Sequence, residues 1–172
     1  MNVKALIRRV NHTLKLHKLF PEHSRILIAC SGGPDSMALL HLLQDIVAHR
    51  HTKYKLGIAI VDHSIRPESK DEVLWLQNQV DALGLSFYTT TFDVPTLSKD
   101  LKLSEETVGR QVRYQWLNEI AHSEGYDYIA VAHHKDDQAE SILAHLIRGT
   151  GLNGLTGMAV VSHDYDIPVI RP

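Results

Sequence analysis

Apolar positions along the chain follow two rhythms that alternate. Val3, Leu6, Ile7, Val10 and Leu14 recur at helical spacing and predict an amphipathic first helix. Arg25–Cys30 is a short apolar run closed by Ser31-Gly32-Gly33, which predicts a buried strand. The pattern continues with a helix over Ser36–His49, a second buried strand over Leu56–Asp62, and a helix over Ser69–Leu83 with Ser69 and Glu72 at capping-box spacing. A third strand, rich in Thr and aromatics, covers Ser86–Phe92. A helix over Ser104–Ser123 follows, opened by Ser104 with Glu105, Glu106 and Thr107 behind it; then come a strand over Tyr128–Ala132, a helix over Asp137–Ile147 and a short fifth strand over Ile167–Ile170. Most of these strands are apolar on both faces, so the pattern predicts an α/β fold, a doubly wound parallel sheet with helices on both faces. No repeat, low-complexity tract or linker interrupts it, and residues 1–172 read as a single domain. Ligands in such folds bind beyond the carboxyl ends of the strands. Three of those ends carry unusual residues: Ser31–Ser36, Asp62–Arg66 and His133–Asp137.

Composition narrows the picture in three ways. The 172 residues are 44% hydrophobic, enough for a sizeable core. The net charge of −2 argues against a general polyanion trap, yet five basic residues (Lys4, Arg8, Arg9, Lys15, Lys18) precede residue 25 against one acid, Glu22. That cluster is either a solvated helix face or a local phosphate-facing surface. Basic and amphipathic, the N-terminus is similar to a transit peptide but lacks the serine enrichment, and so reads as a structured helix. The single cysteine, Cys30, excludes an internal disulfide and a Cys-rich metal site, and its apolar neighbours predict a buried, inert thiol. No apolar stretch approaches the ~20 residues a membrane span needs. We therefore expect no membrane association and a reducing, cytoplasmic setting.

Ser31-Gly32-Gly33-Pro34-Asp35-Ser36 lies between a strand and a helix. Two glycines let the backbone come close to a ligand, and the helix start offers unpaired N–H groups and a positive dipole end. Ser31 and Ser36 add hydroxyls. Asp35 would repel phosphate unless it caps the helix or holds Mg²⁺. The string lacks the Gly-Lys-Ser/Thr of a Walker loop and the spacing of a dinucleotide fingerprint.

At the second strand end, His63 and Arg66 are polar groups beside an apolar strand, compatible with a turn and a cap or with ligand contact. The third reads Ala132-His133-His134-Lys135-Asp136-Asp137-Gln138-Ala139-Glu140. Its contiguity argues against zinc, which needs a second, separated ligand set, whereas carboxylates suit magnesium shared with phosphates. Asp137 and Glu140 also stand at capping spacing. On the helix 104–123, Glu106, Arg110 and either Arg113 or Tyr114 share one face, as a surface charge ladder also would. Arg148-Gly149-Thr150-Gly151 is a glycine-rich helix exit.

The string SGGPDS resembles the PP-loop of the ATP pyrophosphatase family, whose members cleave ATP between the α and β phosphates and transfer AMP to a substrate oxygen. The ordered set SGGPDS, His63 with Ile65-Arg66 and Ser69, Glu106-x-x-x-Arg110-x-x-Arg113-Tyr114, AHHKDDQAE and Arg148 to Met158 resembles tRNA lysidine synthetase within that family, over about residues 20 to 172. The resemblance implies a Rossmann-like fold of the adenine nucleotide alpha hydrolase type. It also implies a ligase that adenylates the wobble cytidine of a tRNA(Ile) with ATP and Mg²⁺, then joins free lysine to it, releasing pyrophosphate and AMP.

Under that resemblance Ser31, Gly32, Gly33, Pro34, Asp35, Ser36 and His63 hold the nucleotide. Asp35, Asp137, His133 and Arg113 are the catalytic candidates, with Asp35 and Asp137 facing Mg²⁺ or the lysine ammonium. Arg66, Glu106, Arg110, Glu140 and Arg148 are expected to contact substrate, and a homodimer is left open. Family members continue past the Ile170-Arg171-Pro172 string, so the chain is expected to be truncated, with weak tRNA binding. Two alternatives remain: a tRNA cytidine thiolase, disfavoured because the resemblance gives those enzymes Cys-x-x-Cys pairs, and a nucleotide-binding module without turnover.

Overall fold

A computed structural model describes residues 3–50, 53–66, 68–132 and 159–172. Its elements run α1 (Val3–Leu16), β1 (Arg25–Ala29), α2 (Pro34–Arg50), β2 (Lys55–Asp62), α3 (Ser69–Ala82), β3 (Ser86–Thr91), α4 (Val94–Leu101), α5 (Glu105–Ser123), β4 (Tyr128–Val131), β5 (Val161–Ser162) and β6 (Val169–Ile170). The strands form one sheet of order β3-β2-β1-β4-β6-β5, parallel throughout except for β5 against β6. The chain leaves β1 toward β2 on one side and returns as β4 on the other. The crevice where strand order reverses therefore opens beyond β1 and β4.

Strand alternation decides which side chain meets which layer. Ile26, Ile28, Ile58 and Ile60 face one way, into a core with Leu14 of α1, Leu40, Leu43 and Ile46 of α2, and Leu76 and Val80 of α3. Leu27, Ala59, Ile129 and Val131 face the other way, onto Tyr114, Leu117 and Ala121 of α5. Each fully buried Leu or Ile contributes about 1.5–3 kcal/mol of transfer free energy, so both sheet faces are anchored by burial. Gly57 sits on the α5 face because Tyr126 fills the space above it: a Cβ there would overlap the Tyr126 hydroxyl and lie 2.6 Å from its Cζ. Across the amino ends of the strands, the Asp127 carboxylate accepts from Arg25 N at 2.8 Å, and the Arg25 guanidinium donates to Glu124 O at 2.8 Å.

Three local features differ from the sequence pattern. Ser69 does not cap α3: Glu68 stands at the cap position with helical backbone and no side-chain cap bond, while Ser69 Oγ donates back to Arg66 O at 2.8 Å. The amides of Asp71 and Glu72 already bond to Glu68 O, so Ser69 lies inside the first turn, past the extended position from which a hydroxyl caps. Helix α4 is additional. Asp93 caps it by accepting from Thr96 N at 3.0 Å, and Pro95 sits in its first turn, where a missing N–H costs nothing. Finally, β5 adds an antiparallel edge beside β6, which itself falls within the expected fifth strand. The helix expected over Asp137–Ile147 lies outside the described residues.

Candidate active site

The loop after β1 is organised around one hydroxyl. Ser36 is 6% exposed. Its Oγ donates to Gly33 O at 2.9 Å, accepts from Ser31 N at 3.2 Å, and lies 3.3 Å from Ser31 Oγ. The Cys30 thiol, buried beneath, donates toward Ser36 Oγ at 3.4 Å. Gly32 has φ of +77°, a conformation that disfavours a side chain, and it turns the chain so that α2 can start at Pro34. Gly33 has an ordinary φ, and a Cβ built on it would meet only Ser31 Oγ, at 3.4 Å. The fold therefore requires glycine at 32, and at 33 glycine keeps the space over the loop open. Asp35, exposed, lies in the first turn of α2.

Opposite the loop, β2 ends in Asp62, 4% exposed, whose Oδ1 accepts from Ser64 N at 2.8 Å; Ser64 takes a positive φ of 51°. This side-chain-closed turn carries His63 toward α5. Gly109 makes room for the ring: a Cβ there would lie 3.6 Å from His63 Cε1 and Nδ1. Burial pushes the His63 pKa below the usual histidine range, and the positive Arg113 adds to this against the opposing Asp62 carboxylate. At neutral pH the imidazole is therefore uncharged. On α5, Arg110 and Arg113 each place a guanidinium 5.2 Å from the centroid of the Tyr114 ring, which stacks on Tyr165 at 5.3 Å and 13°. Tyr114 is 2% exposed.

These pieces enclose a cleft of about 430 Å³ at the carboxyl edge of the sheet. Of the residues expected from sequence, Ser31, Gly33, Asp35, Ser36, His63, Arg66 and Arg113 line it. Arg66 is held at the rim by Glu72, at 3.0 and 3.2 Å to the two carboxylate oxygens. With both partners largely exposed the pair is weak, and the guanidinium is available to an anion. Gly32 lines a hollow on the outer side of the loop, with Glu68, Asp71 and the half-exposed Trp75. Glu106 and Arg110 are exposed on α5 and do not line the cleft; Arg110 reaches it only through the Tyr114 ring. Tyr114, Asp62 and Leu117 do line it. Tyr114 and Arg113 both serve the face for which sequence spacing offered one or the other. His133, Asp137, Glu140 and Arg148 lie outside the described residues.

A family model described as "PP-loop domain" matches residues 4–172. The chain belongs to the PP-loop domain family. Among curated PP-loop relatives, the tRNA(Ile)-lysidine synthase of Thermosipho africanus is 40% identical over 154 residues, covering 90% of this chain and 36% of that protein. The enzyme of the same name from Clostridium acetobutylicum is 34% identical over 168 residues, covering 97% of this chain and 35% of its own length. That from Chlorobaculum tepidum is 37% identical over 144 residues, with coverage of 83% and 43%. The chain thus spans about a third to two fifths of the length of these relatives. Among solved structures, the U34-tRNA thiolase NcsA of Methanococcus maripaludis, described with its [4Fe-4S] cluster, superposes with a TM-score of 0.75 at 20% identity. That superposition covers 88% of this chain and 52% of the thiolase chain. The NH3-dependent NAD synthetase of Campylobacter jejuni superposes at 0.52 and 12% identity, covering 88% and 62%. At those identities the likeness is one of fold: a mostly parallel sheet shared by PP-loop proteins.

Proposed function

We propose that this chain is the ATP-binding catalytic domain of a tRNA(Ile)-lysidine synthase, an ATP-dependent carbon–nitrogen ligase. The observation that carries the reading is the cleft itself. A glycine-turned loop at a helix start forms one wall, and His63, Arg66 and Arg113 converge on it from the next strand end and from α5. A triphosphate laid across that cleft puts its β and γ phosphates on the amides and hydroxyls of Ser31–Ser36. Its α-phosphate then faces the cationic side. The cytidine carbonyl oxygen attacks the α-phosphate in line, the O–P bond forms, and pyrophosphate leaves into the loop. The lysine amine then attacks the activated ring carbon and AMP departs. None of this needs a protein nucleophile; the domain must position the reactants and neutralise charge.

Magnesium suits the loop in one respect: Asp35 places a carboxylate beside the phosphate cradle, and magnesium is commonly held by one or two carboxylates with phosphate oxygens. Asp35 and Asp137 would hold it, supplying charge neutralisation on the departing pyrophosphate. Among the described residues no group of three or more metal-ligating side chains occurs, so the phosphates would complete the set. We assign His133 to the catalytic set, Gly32 and Pro34 to the loop, and Glu106, Arg110, Glu140 and Arg148 to substrate contacts, following the family motifs. The partners are a tRNA(Ile) with a wobble cytidine and free lysine, in the cytoplasm; a homodimer is compatible with this reading. Among the described residues no helix is long and apolar enough to cross a membrane. Cys30 is buried under the loop at 3% exposure, which does not suit the sulfur chemistry of a thiolase.

Incorporation of radiolabelled lysine into wobble-cytidine tRNA by the whole protein tests this. Pyrophosphate release should require tRNA, and AMP release should require both tRNA and lysine. Release of both AMP and pyrophosphate with tRNA and lysine present, but no lysine incorporation, would instead indicate another PP-loop reaction.

A further inference from the structure

Tyr114 carries a polar atom that no described residue uses. Its ring is 2% exposed, and its Oη is buried and finds no hydrogen-bond partner among the described residues. Leaving such a group unsatisfied opposes folding. The ring is also fixed: Tyr165 stacks on it and Arg110 and Arg113 lie against it. The residue lines the nucleotide cleft beside Arg113, Leu117 and Val131. A second orphan, His63 Nδ1, faces the same wall. Phenylalanine would pack the same space at less cost, so the hydroxyl calls for an occupant of the cleft.

We propose that Tyr114 is a ligand-contacting residue whose Oη donates a hydrogen bond to an acceptor atom of a bound nucleotide, on the α5 side of the cleft. The two guanidiniums beside the ring favour an acceptor with negative charge or high electron density, such as a phosphoryl oxygen or a base carbonyl. Burial then makes the bond selective, because a ligand lacking the acceptor leaves the hydroxyl unpaired. Both ATP and an unstacked cytidine of RNA offer such acceptors. The inference rests on the cleft being a nucleotide site.

Tyr114→Phe removes the hydroxyl and keeps the ring for Tyr165 and the arginines. The variant and the wild type are titrated with ATP and, separately, with a wobble-cytidine anticodon stem-loop RNA, and both are melted without ligand. We expect the ligand-free variant to melt no lower than the wild type and to bind about 5- to 10-fold more weakly in one arm. Loss with ATP alone places the acceptor on the adenosine nucleotide; loss with RNA alone places it on the cytidine. Unchanged affinity in both arms overturns the inference while the nucleotide site stands, whatever the melting temperature. A wild type that binds neither ligand removes the site and this inference together.

Discussion

On the loop wall of the cleft, Ser36 is 6% exposed and its hydroxyl has partners in Gly33 O, Ser31 N and Ser31 Oγ. On the α5 wall, Tyr114 is 2% exposed and its hydroxyl has none among the described residues, and His63 Nδ1 shares that condition. The first wall is closed upon itself and can keep its shape without a ligand. Its proposed contribution to binding is the positive end of α2, which starts at Pro34 beside the loop. The second wall is held rigid by aromatic and guanidinium stacking yet left chemically incomplete. Under the proposed function, a site divided this way would keep a fixed cradle for the pyrophosphate that every turnover releases, and concentrate discrimination where the reacting groups meet. Unsatisfied buried groups of this kind are tolerated where function uses them.

The comparison is broken most severely by removing charge from the loop wall without touching its packing. Asp35→Asn is expected to reduce turnover by about 100- to 1000-fold, the usual loss when a preorganised polar contact at developing charge is removed, with little change in melting temperature. Parallel measurement of lysine transfer and thermal melting checks this. A stability loss of about 1 kcal/mol with normal turnover would mean that Asp35 only caps α2.

Steric change in the same wall should come next. Gly33→Val is expected to fold, since only Ser31 Oγ approaches within 4 Å of the new Cβ. It should lose ATP binding because the isopropyl group would stand in the phosphate cradle. Gly32→Val should instead lower stability, by about 1–2 kcal/mol, because its φ of +77° disfavours any side chain. Isothermal titration and melting of the two variants separate a glycine required by space from one required by conformation. Equal ATP affinity in folded Gly33→Val and wild type would place the phosphates elsewhere.

How far the sequence foreshadowed this division depends on range. Strands β1, β2 and β4, their helices and the SGGPDS turn were legible because burial on both sheet faces and glycine chemistry are local signals, and the edge strand β3, which is not buried, was legible from its Thr and aromatic residues. Helix α4 was not, although Asp93, Pro95 and Thr96 spell a capped helix start; its Val94, Leu97 and Leu101 make too short a stripe to stand out beside Pro95. The two-residue β5 has no local signature at all, since its existence depends on register with β6. In the site, spacing on α5 could not decide between Arg113 and Tyr114, because a residue's face on a helix is set by what packs there. The Tyr165 ring and the Gly109 gap that admits His63 are tertiary facts. Arg66 was legible as a polar group at a strand end, but its tether to Glu72 was not, since Ser69 and Glu72 fit a capping box equally well.

The smallest expected effect concerns the incomplete wall and pH. The His63 pKa is lowered in the folded protein by burial and by Arg113, with Asp62 opposing. In the unfolded chain a histidine titrates near about 6.5. As pH falls through that value the unfolded state takes up a proton that folded His63 resists. The unfolded state therefore binds more protons, and stability declines with falling pH until the folded pKa is reached. Above the unfolded pKa the contribution is fully present and flat. His63→Gln removes the titrating group and keeps a polar side chain of similar reach. Melting both proteins between pH 7.5 and 5.5, a range set around about 6.5, should give a shallower decline in the variant, with the two curves parallel above neutrality. ATP should reduce the contrast. A triphosphate facing His63 favours the imidazolium, so nucleotide binding would raise the histidine pKa and tighten as pH falls. The same titrations in saturating ATP should show part of the wild type's acid loss recovered and the His63→Gln curve shifted uniformly. Equal pH slopes for wild type and variant, with and without ATP, would mean that His63 only fills the space left by Gly109 and takes no part in binding.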